Sequence, residues 1–134
     1  MKESHVVTCF VESNGEVLIV KRSLKVGTYQ QKWSGISGYI ETGTTPMEQA
    51  WQELKEEAGL DFGNVTFKRE GEVLVITDEK LDRKWFVHPF RFVLSDRDKV
   101  VLDWENIKHI WVDPEKIPDY ETVPGLYDAW EKVK

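Results

Sequence analysis

Three glutamates, Glu53, Glu56 and Glu57, lie within five consecutive residues of the sequence. Carboxylate oxygens at this spacing can hold a hard divalent cation such as Mg²⁺, which usually shares its coordination sphere with the phosphates of a substrate. A solvated acidic helix face is the simpler interpretation of such a cluster. The choice between the two depends on the element that carries the glutamates and on the residues around it.

Residues 46–58 are predicted to form the helix that carries these glutamates. Thr45 is a suitable N-cap, Pro46 suits the first turn, and Glu48 completes a capping box. Gly59 suits the left-handed conformation that ends many helices. The predicted apolar stripe of this helix consists of Met47, Ala50, Trp51, Leu54 and Ala58. At about 100° per residue the three glutamates share one arc at the border of that stripe, where their mutual repulsion favours a bound cation.

The segment that contains this helix, residues 38–60, reads GYIETGTTPMEQAWQELKEEAGL. It resembles the Nudix box, G-x5-E-x7-R-E-U-x-E-E-x-G-U, in which U is a bulky apolar residue. Residues 33–41 and 105–112 also resemble the strands that flank the box in that family. The seven matching positions of the box are Gly38, Glu53, Leu54, Glu56, Glu57, Gly59 and Leu60. The resemblance implies an α/β fold, the Nudix-type α/β/α sandwich with a mixed β-sheet.

The resemblance also implies an activity, that of a MutT-like hydrolase dependent on Mg²⁺ or Mn²⁺. Its substrate would be a nucleoside diphosphate derivative, such as a nucleoside triphosphate, a dinucleoside polyphosphate or an ADP-sugar. Glu53, Glu56 and Glu57 would be the catalytic residues and metal ligands, with the Gly38 carbonyl as a further ligand. Glu53 is the first candidate for the general base and Glu105 the second. The cation would neutralise phosphate charge and activate water.

Two positions depart from the box. Thr44 stands where the family has Glu, and Gln52 stands where it has Arg. One hypothesis is that a neutral contact between Thr44 and Gln52 replaces an ion pair and still orients the glutamates. The alternative is a Nudix-fold module that binds a nucleotide with weak or no hydrolysis. Retention of all three helical carboxylates favours the enzyme.

Candidate substrate-binding residues lie outside the box. Arg22 could meet the phosphates, and Tyr29 and Trp85 could stack on a nucleobase, although core packing is the commoner role of aromatic side chains. His88 and His109 lie in predicted strands without the spacing of a zinc motif, and we assign them no chemistry.

Composition narrows the possible partners and location. A chain of 134 residues is expected to form a single domain over residues 1–134. A net charge of −6 argues against binding of long nucleic acid and is compatible with a small nucleotide. No apolar stretch is long enough for a membrane span or a signal peptide, so a cytoplasmic location is expected. The lone Cys9 cannot form an internal disulfide, and exposed strands would permit a homodimer.

The remaining elements follow from periodicity and turn residues. Ser13-Asn14-Gly15 predicts a hairpin turn, and the polar loop 23–32 is expected to be flexible. Leu126, Trp130 and Val133 are expected to face the core from a C-terminal helix. Strands are predicted for 5–12, 16–22, 32–40, 65–77, 85–94 and 107–112, a helical turn from 113, and the C-terminal helix over 122–133.

Overall fold

The computed structural model describes all residues, 1–134, and contains a mixed β-sheet with helices on both faces. The helices are α1 (Pro46–Ala58) and α2 (Leu126–Glu131), and two 3₁₀ segments cover Arg97–Lys99 and Pro114–Asp119. The strands are β1 (Lys2–Ser13), β2 (Glu16–Arg22), β3 (Trp33–Ser34), β4 (Ile36–Tyr39), β5 (Val65–Glu70), β6 (Leu74–Asp78), β7 (Arg83–Leu94) and β8 (Asn106–Val112). The predicted α/β/α sandwich with a mixed sheet is confirmed.

The centre of the sheet is the parallel pair of β1 and β7, in register from Lys2 opposite Arg83 to Glu12 opposite Val93. The other pairings are antiparallel: β1 with β2 and β4, β2 with β3 and β8, and β7 with β5 and β6. Because β4 pairs with β1 and leads toward α1, the loop between β4 and α1 is anchored at both ends.

Each face of the sheet has its own apolar core. Along β1, Val7, Cys9 and Val11 face α1, whereas Phe10 faces the opposite side with α2. This alternation follows from the two-residue period of a strand, which sends successive side chains to opposite faces. Cys9 is fully buried, as expected for a strand residue. None of the helices is long and apolar enough to cross a bilayer.

Helix α1 begins and ends where the sequence predicts. The Glu48 backbone N–H donates to Thr45 Oγ1 at 3.1 Å, and the Thr45 N–H donates to Glu48 Oε1 at 3.0 Å, which completes the capping box. Gly59 has a φ of 68° and closes the C-terminus in the left-handed conformation. These caps fix which side chains the helix turns toward the sheet.

The strand predicted over 65–77 is wrong in extent, because the structure divides it into β5 and β6. Both segments pair with β7, and the interruption lies opposite Pro89. The Pro89 carbonyl oxygen accepts from the Gly71 N–H at 2.9 Å. Because proline has no N–H, Pro89 cannot donate back to the neighbouring strand. A Cβ at Gly71 would also lie 2.7 Å from the Lys132 carbonyl oxygen.

The strand predicted over 32–40 is likewise divided, into β3 and β4, at Gly35. A Cβ at this position would lie 2.9 Å from the Cys9 carbonyl oxygen, so the close approach of the two backbones requires glycine. Only β4 continues along β1, and it delivers Gly38 to the region of α1.

The C-terminal helix is shorter than the predicted 122–133, because α2 starts at Leu126. Pro124 and Gly125 precede it, and Gly125 has a φ of 76°, which is incompatible with a helical turn. Thr122 instead forms a bridge with Trp33 in extended conformation. The predicted inward residues Leu126, Trp130 and Val133 are all buried.

Candidate active site

A cluster of three carboxylates, Glu53, Glu57 and Glu105, lies between α1 and the start of β8. One oxygen from each of the three residues lies within 4.8 Å of the other two. Glu53 is 8% exposed and Glu57 is 3% exposed, values that are unusual for glutamate. The structure thus brings two of the predicted helical glutamates together with Glu105, and we call this group the carboxylate cluster.

Glu56 is exposed and is not a member of the carboxylate cluster, although it lines the same cavity. Gln52 Nε2 donates to Glu56 Oε1 at 3.0 Å. No hydrogen bond joins Thr44 to Gln52, so the hypothesised neutral contact between them is absent. The glutamine at the box's arginine position therefore acts on Glu56 one turn further along α1.

Gly38 lies on β4 directly against the carboxyl group of Glu53. A Cβ at this position would overlap the Glu53 carboxylate atoms, so no larger residue fits without displacing Glu53. The main chain cannot easily retreat, because β4 is paired with β1 at this point, Gly38 opposite Val7. Glycine is needed here for close packing rather than for an unusual φ angle.

The carboxylate cluster is electrostatically costly. Burial raises the pKa of Glu57 well above its ordinary value, and repulsion from Glu53 and Glu105 adds to this effect. Burial is also the main cause that raises the pKa of Glu53 and of Glu105. Asn106 Nδ2 donates to Glu57 Oε1 at 3.1 Å, which partly offsets these effects.

One oxygen of this cluster, Glu57 Oε2, is buried without any hydrogen-bond partner. An unpartnered buried carboxylate oxygen is costly, and a cation would both satisfy it and offset the repulsion among the three carboxyl groups. The donors are oxygens only, which suits a hard cation rather than zinc or copper. The residues present therefore fit a divalent cation.

The predicted substrate-binding residues Arg22, Tyr29 and Trp85 line the same cavity, which has a volume of about 440 Å³. Tyr29 Oη donates to Asp78 Oδ2 at 2.6 Å, and Trp85 Nε1 donates to Tyr29 Oη at 3.0 Å. Burial and the hydrogen bond to Asp78 raise the pKa of Tyr29 to about 12. Trp85 is only 7% exposed, and Tyr29 is partly buried against the apolar core on the α2 side of the sheet, so Tyr29 offers more accessible ring surface than Trp85.

The loop 23–32, for which polar composition predicts flexibility, is held by specific contacts. Arg22 Nε and Nη2 donate to the Thr28 carbonyl oxygen at 3.1 Å and 2.9 Å. The bond from Tyr29 to Asp78 ties the same loop to the end of β6. These side-chain bonds between distant segments are not visible from local composition.

Sequence reasoning missed Gln49, Asn106 and Asp78. Gln49 is 1% exposed, and its Nε2 donates to Glu53 Oε1 at 2.9 Å. Its position four residues before Glu53 is the one available sequence signal, because residues i and i+4 of a helix share a face. Asn106 and Asp78 reach the site only through strand pairing, and they carry no local signal.

The sequence model of the NUDIX domain family matches residues 1–131. The chain belongs to the Nudix family. This agrees with the position of Gly38, Glu53 and Glu56, which stand in the register of the Nudix box and line the cavity.

Known proteins that resemble this chain include a curated one, the oxidized purine nucleoside triphosphate hydrolase of Danio rerio. It is 32% identical over an alignment of 110 residues that covers 78% of this chain and 62% of the relative, so the chain spans about six-tenths of the length of that relative. The MutT protein from Methanosarcina mazei Go1 superposes with a TM-score of 0.82 at 23% identity, covering 98% of this chain and 93% of that chain. The Ap4A hydrolase of C. elegans superposes with a TM-score of 0.75 at 18% identity, covering 98% and 94%.

Proposed function

We propose that this chain is a Mg²⁺-dependent Nudix pyrophosphohydrolase that acts on a small nucleoside diphosphate derivative. The observation that carries the proposal is the carboxylate cluster of Glu53, Glu57 and Glu105, which stands beside a cavity also lined by Tyr29 and Trp85. A cavity of about 440 Å³ falls in the usual range for small-molecule sites, roughly 300–1,000 Å³. Carboxylates for a cation and rings for a base are the two features that such a substrate requires.

The residues that would hold the cation are Glu53, Glu57 and Glu105, with Glu56 and the Gly38 carbonyl as further candidates. When bound, Mg²⁺ supplies positive charge for the phosphates and favours ionisation of water at neutral pH. Mn²⁺ has the same preference for oxygen ligands and is a suitable experimental substitute. Burial of the cluster keeps competing bulk water away and strengthens each electrostatic interaction.

The proposed reaction is attack of water on phosphorus with cleavage of a phosphoanhydride P–O bond. Glu53 is the first candidate for the general base and Glu105 the second, since each has a raised pKa and stands among negative charges. A carboxylate with a raised pKa is a better proton acceptor at neutral pH than an ordinary one. Arg22 and Lys25 both line the cavity, and Arg22 is the first candidate to meet the phosphates.

The activities of two relatives support the substrate class. One is a hydrolase of oxidized purine nucleoside triphosphates, and another is an Ap4A hydrolase. Nucleoside triphosphates and dinucleoside polyphosphates are therefore the first candidates, and ADP-sugars are the next. All of them carry the diphosphate that a cation in the carboxylate cluster would bind.

A nucleotide-binding module without hydrolysis is the second candidate, favoured by Thr44 and Gln52 in place of the box's Glu and Arg. Two observations support the enzyme over this candidate. Gln52 donates to Glu56, and Gln49 donates to Glu53, so both glutamates keep an orienting donor. The carboxylate cluster also remains complete, and its repulsion would serve no purpose in a protein that binds no cation.

The test is a hydrolysis assay with Mg²⁺ or Mn²⁺ across ATP, an oxidised purine triphosphate, a dinucleoside tetraphosphate and ADP-ribose, with chromatographic analysis of products. The proposal predicts metal-dependent release of a nucleoside monophosphate from at least one of them, and no release with a chelator. Thermal stabilisation by a nucleotide with no product from any substrate would support the binding module instead.

Tyr29→Phe is expected to raise the KM for the nucleotide about fivefold, with a smaller change in kcat, since one hydrogen bond is worth ~1 kcal/mol. The change removes the bond to Asp78 and leaves Trp85 Nε1 without its acceptor, which loosens the loop 23–32. The matched control is Tyr127→Phe, because Tyr127 Oη makes a similar bond, 2.7 Å to Glu115, outside the cavity. Equal KM values for both variants and the parent would contradict a role for the Tyr29 hydroxyl group in binding.

Restoring the box's charges with Thr44→Glu plus Gln52→Arg is expected to raise kcat about two- to tenfold, since charge-assisted hydrogen bonds are stronger than neutral ones. An arginine at position 52 would stand where Gln52 reaches Glu56 and would orient that carboxylate more firmly. Steady-state kinetics of the double variant beside each single variant measures the effect. An unchanged or lower kcat in the double variant would show that orientation does not limit the rate.

A further inference from the structure

We infer that Gln49 is a positioning residue that holds Glu53 in its metal-binding orientation and couples it to the loop before α1; the inference rests on the proposed function. Gln49 is 1% exposed, although glutamine is mostly a surface residue. It lies on α1 between the loop that follows β4 and the carboxylate cluster. Burying its amide is favourable only if both of its polar atoms find partners.

Both ends of the Gln49 amide have such partners. Oε1 accepts from the Glu41 backbone N–H at 3.2 Å, and Nε2 donates to Glu53 Oε1 at 2.9 Å. The orientation of the amide follows from the first bond, because a backbone N–H can only donate and must therefore face the amide oxygen. The NH₂ group is then directed at Glu53. Because this group can only donate, its partner must be an acceptor, which the carboxylate of Glu53 is.

This contact restrains Glu53 from one side while Gly38 limits it from another. The space at Gly38 admits the carboxyl group only because no Cβ is present. The amide donates to one oxygen of Glu53, and a carboxylate has further lone pairs that can bind a cation together with Glu57 and Glu105. A ligand fixed in this way loses less conformational freedom when a cation binds, which favours binding.

The contact also explains how the site is oriented without the box's arginine. Gln52 reaches Glu56, which is exposed, so it does not hold the buried cluster. Gln49 is the one side chain of α1 that donates a hydrogen bond to a member of the carboxylate cluster. The other donor, Asn106, lies on β8 and donates to Glu57. The neutral amide of Gln49, which lies on the same helix, thus orients Glu53.

The experiment compares Mn²⁺ binding, measured by calorimetry without nucleotide, in the parent and in two variants. Gln49→Met keeps a similar length and volume but removes both hydrogen bonds. Gln49→Glu keeps an acceptor for the Glu41 N–H and removes the donor to Glu53. We expect both variants to lose about tenfold in Mn²⁺ affinity, as outer partners of metal ligands typically contribute 10–100-fold.

Kinetics and thermal unfolding complete the comparison. We expect kcat to fall with the metal affinity, by about tenfold, while the nucleotide KM changes less than kcat. The control is Gln30→Met, the same substitution at an exposed glutamine whose amide donates to the Val26 carbonyl oxygen, and it should keep the parent's Mn²⁺ affinity.

Three outcomes would overturn the inference. Parent-like Mn²⁺ affinity in Gln49→Glu would make the residue a tether for the loop alone. A lower melting temperature with unchanged affinity in Gln49→Met would make it structural. A loss in Gln30→Met equal to that in Gln49→Met would make the effect unspecific. Failure of the parent itself to bind Mn²⁺ would instead contradict the proposed function, so the two failures are distinguishable.

Discussion

Glu57→Gln is expected to lower kcat by at least about a hundredfold, because outer partners of metal ligands alone typically contribute 10–100-fold and a ligand should contribute more. The amide has nearly the shape of the carboxyl group, and its oxygen can still accept from Asn106. It lacks the negative charge that the cation requires. Steady-state hydrolysis with Mg²⁺ measures the effect.

The same substitution is expected to leave the free energy of unfolding unchanged or to raise it. Glu57 is buried, has an unpartnered oxygen and lies against Glu53 and Glu105, so its charge destabilises the unliganded fold. Loss of activity together with retained or higher stability is therefore the signature of a ligand rather than of a structural residue. Near-parental turnover in a folded Glu57→Gln protein would remove Glu57 from the site.

Gly38→Ala is expected to lower both kcat and Mn²⁺ affinity by about tenfold or more, comparable with the loss of an orienting partner. The added methyl group would occupy the space of the Glu53 carboxylate, and the pairing of β4 with β1 prevents the backbone from yielding. Glu53 would then turn away from Glu57 and Glu105. Calorimetric titration with Mn²⁺ and steady-state kinetics both report this change.

The matched control is Gly27→Ala, where a Cβ meets no atom within 4 Å and the φ angle suits an ordinary residue. It is expected to keep the parent's Mn²⁺ affinity. If both alanine variants lose affinity equally, the effect is not specific to contact with Glu53. If Gly38→Ala binds Mn²⁺ as the parent does, the close contact with Glu53 has no part in metal binding.

Local signals explain why α1 could be predicted so closely. Thr45, Glu48 and Gly59 act within one turn of each helix end, and capping depends on neighbours in sequence rather than on distant packing. The periodicity places all three glutamates at the border of the buried face, whereas the structure buries Glu53 and Glu57 and leaves Glu56 exposed. Glu56 lies about 60° from Glu53 and 100° from Glu57 around the helix, which is far enough to leave it in solvent.

The missed features depend on contacts between distant segments. Glu105 is a candidate general base from the sequence, but its place in the carboxylate cluster is not predicted, because the pairing of β8 with β2 is what brings the residue before Asn106 to α1. The break between β5 and β6 depends on Pro89, which lies on the partner strand. A sequence pattern within one segment can predict neither of these contacts between segments.

The interrupted β5 and β6 have a consequence for association between molecules. Both strands pair only with β7, so they form an outer edge of the sheet. A second chain adding a strand there would need a continuous ladder of donors and acceptors, and the break around Gly71 and the irregular register between Phe67 and Arg69 deny it one. The exposed apolar residues of this edge, including Val73 and Val75, are thus protected from fibril-like stacking by backbone geometry as well as by nearby charges, those of Lys68, Arg69, Glu70 and Glu72.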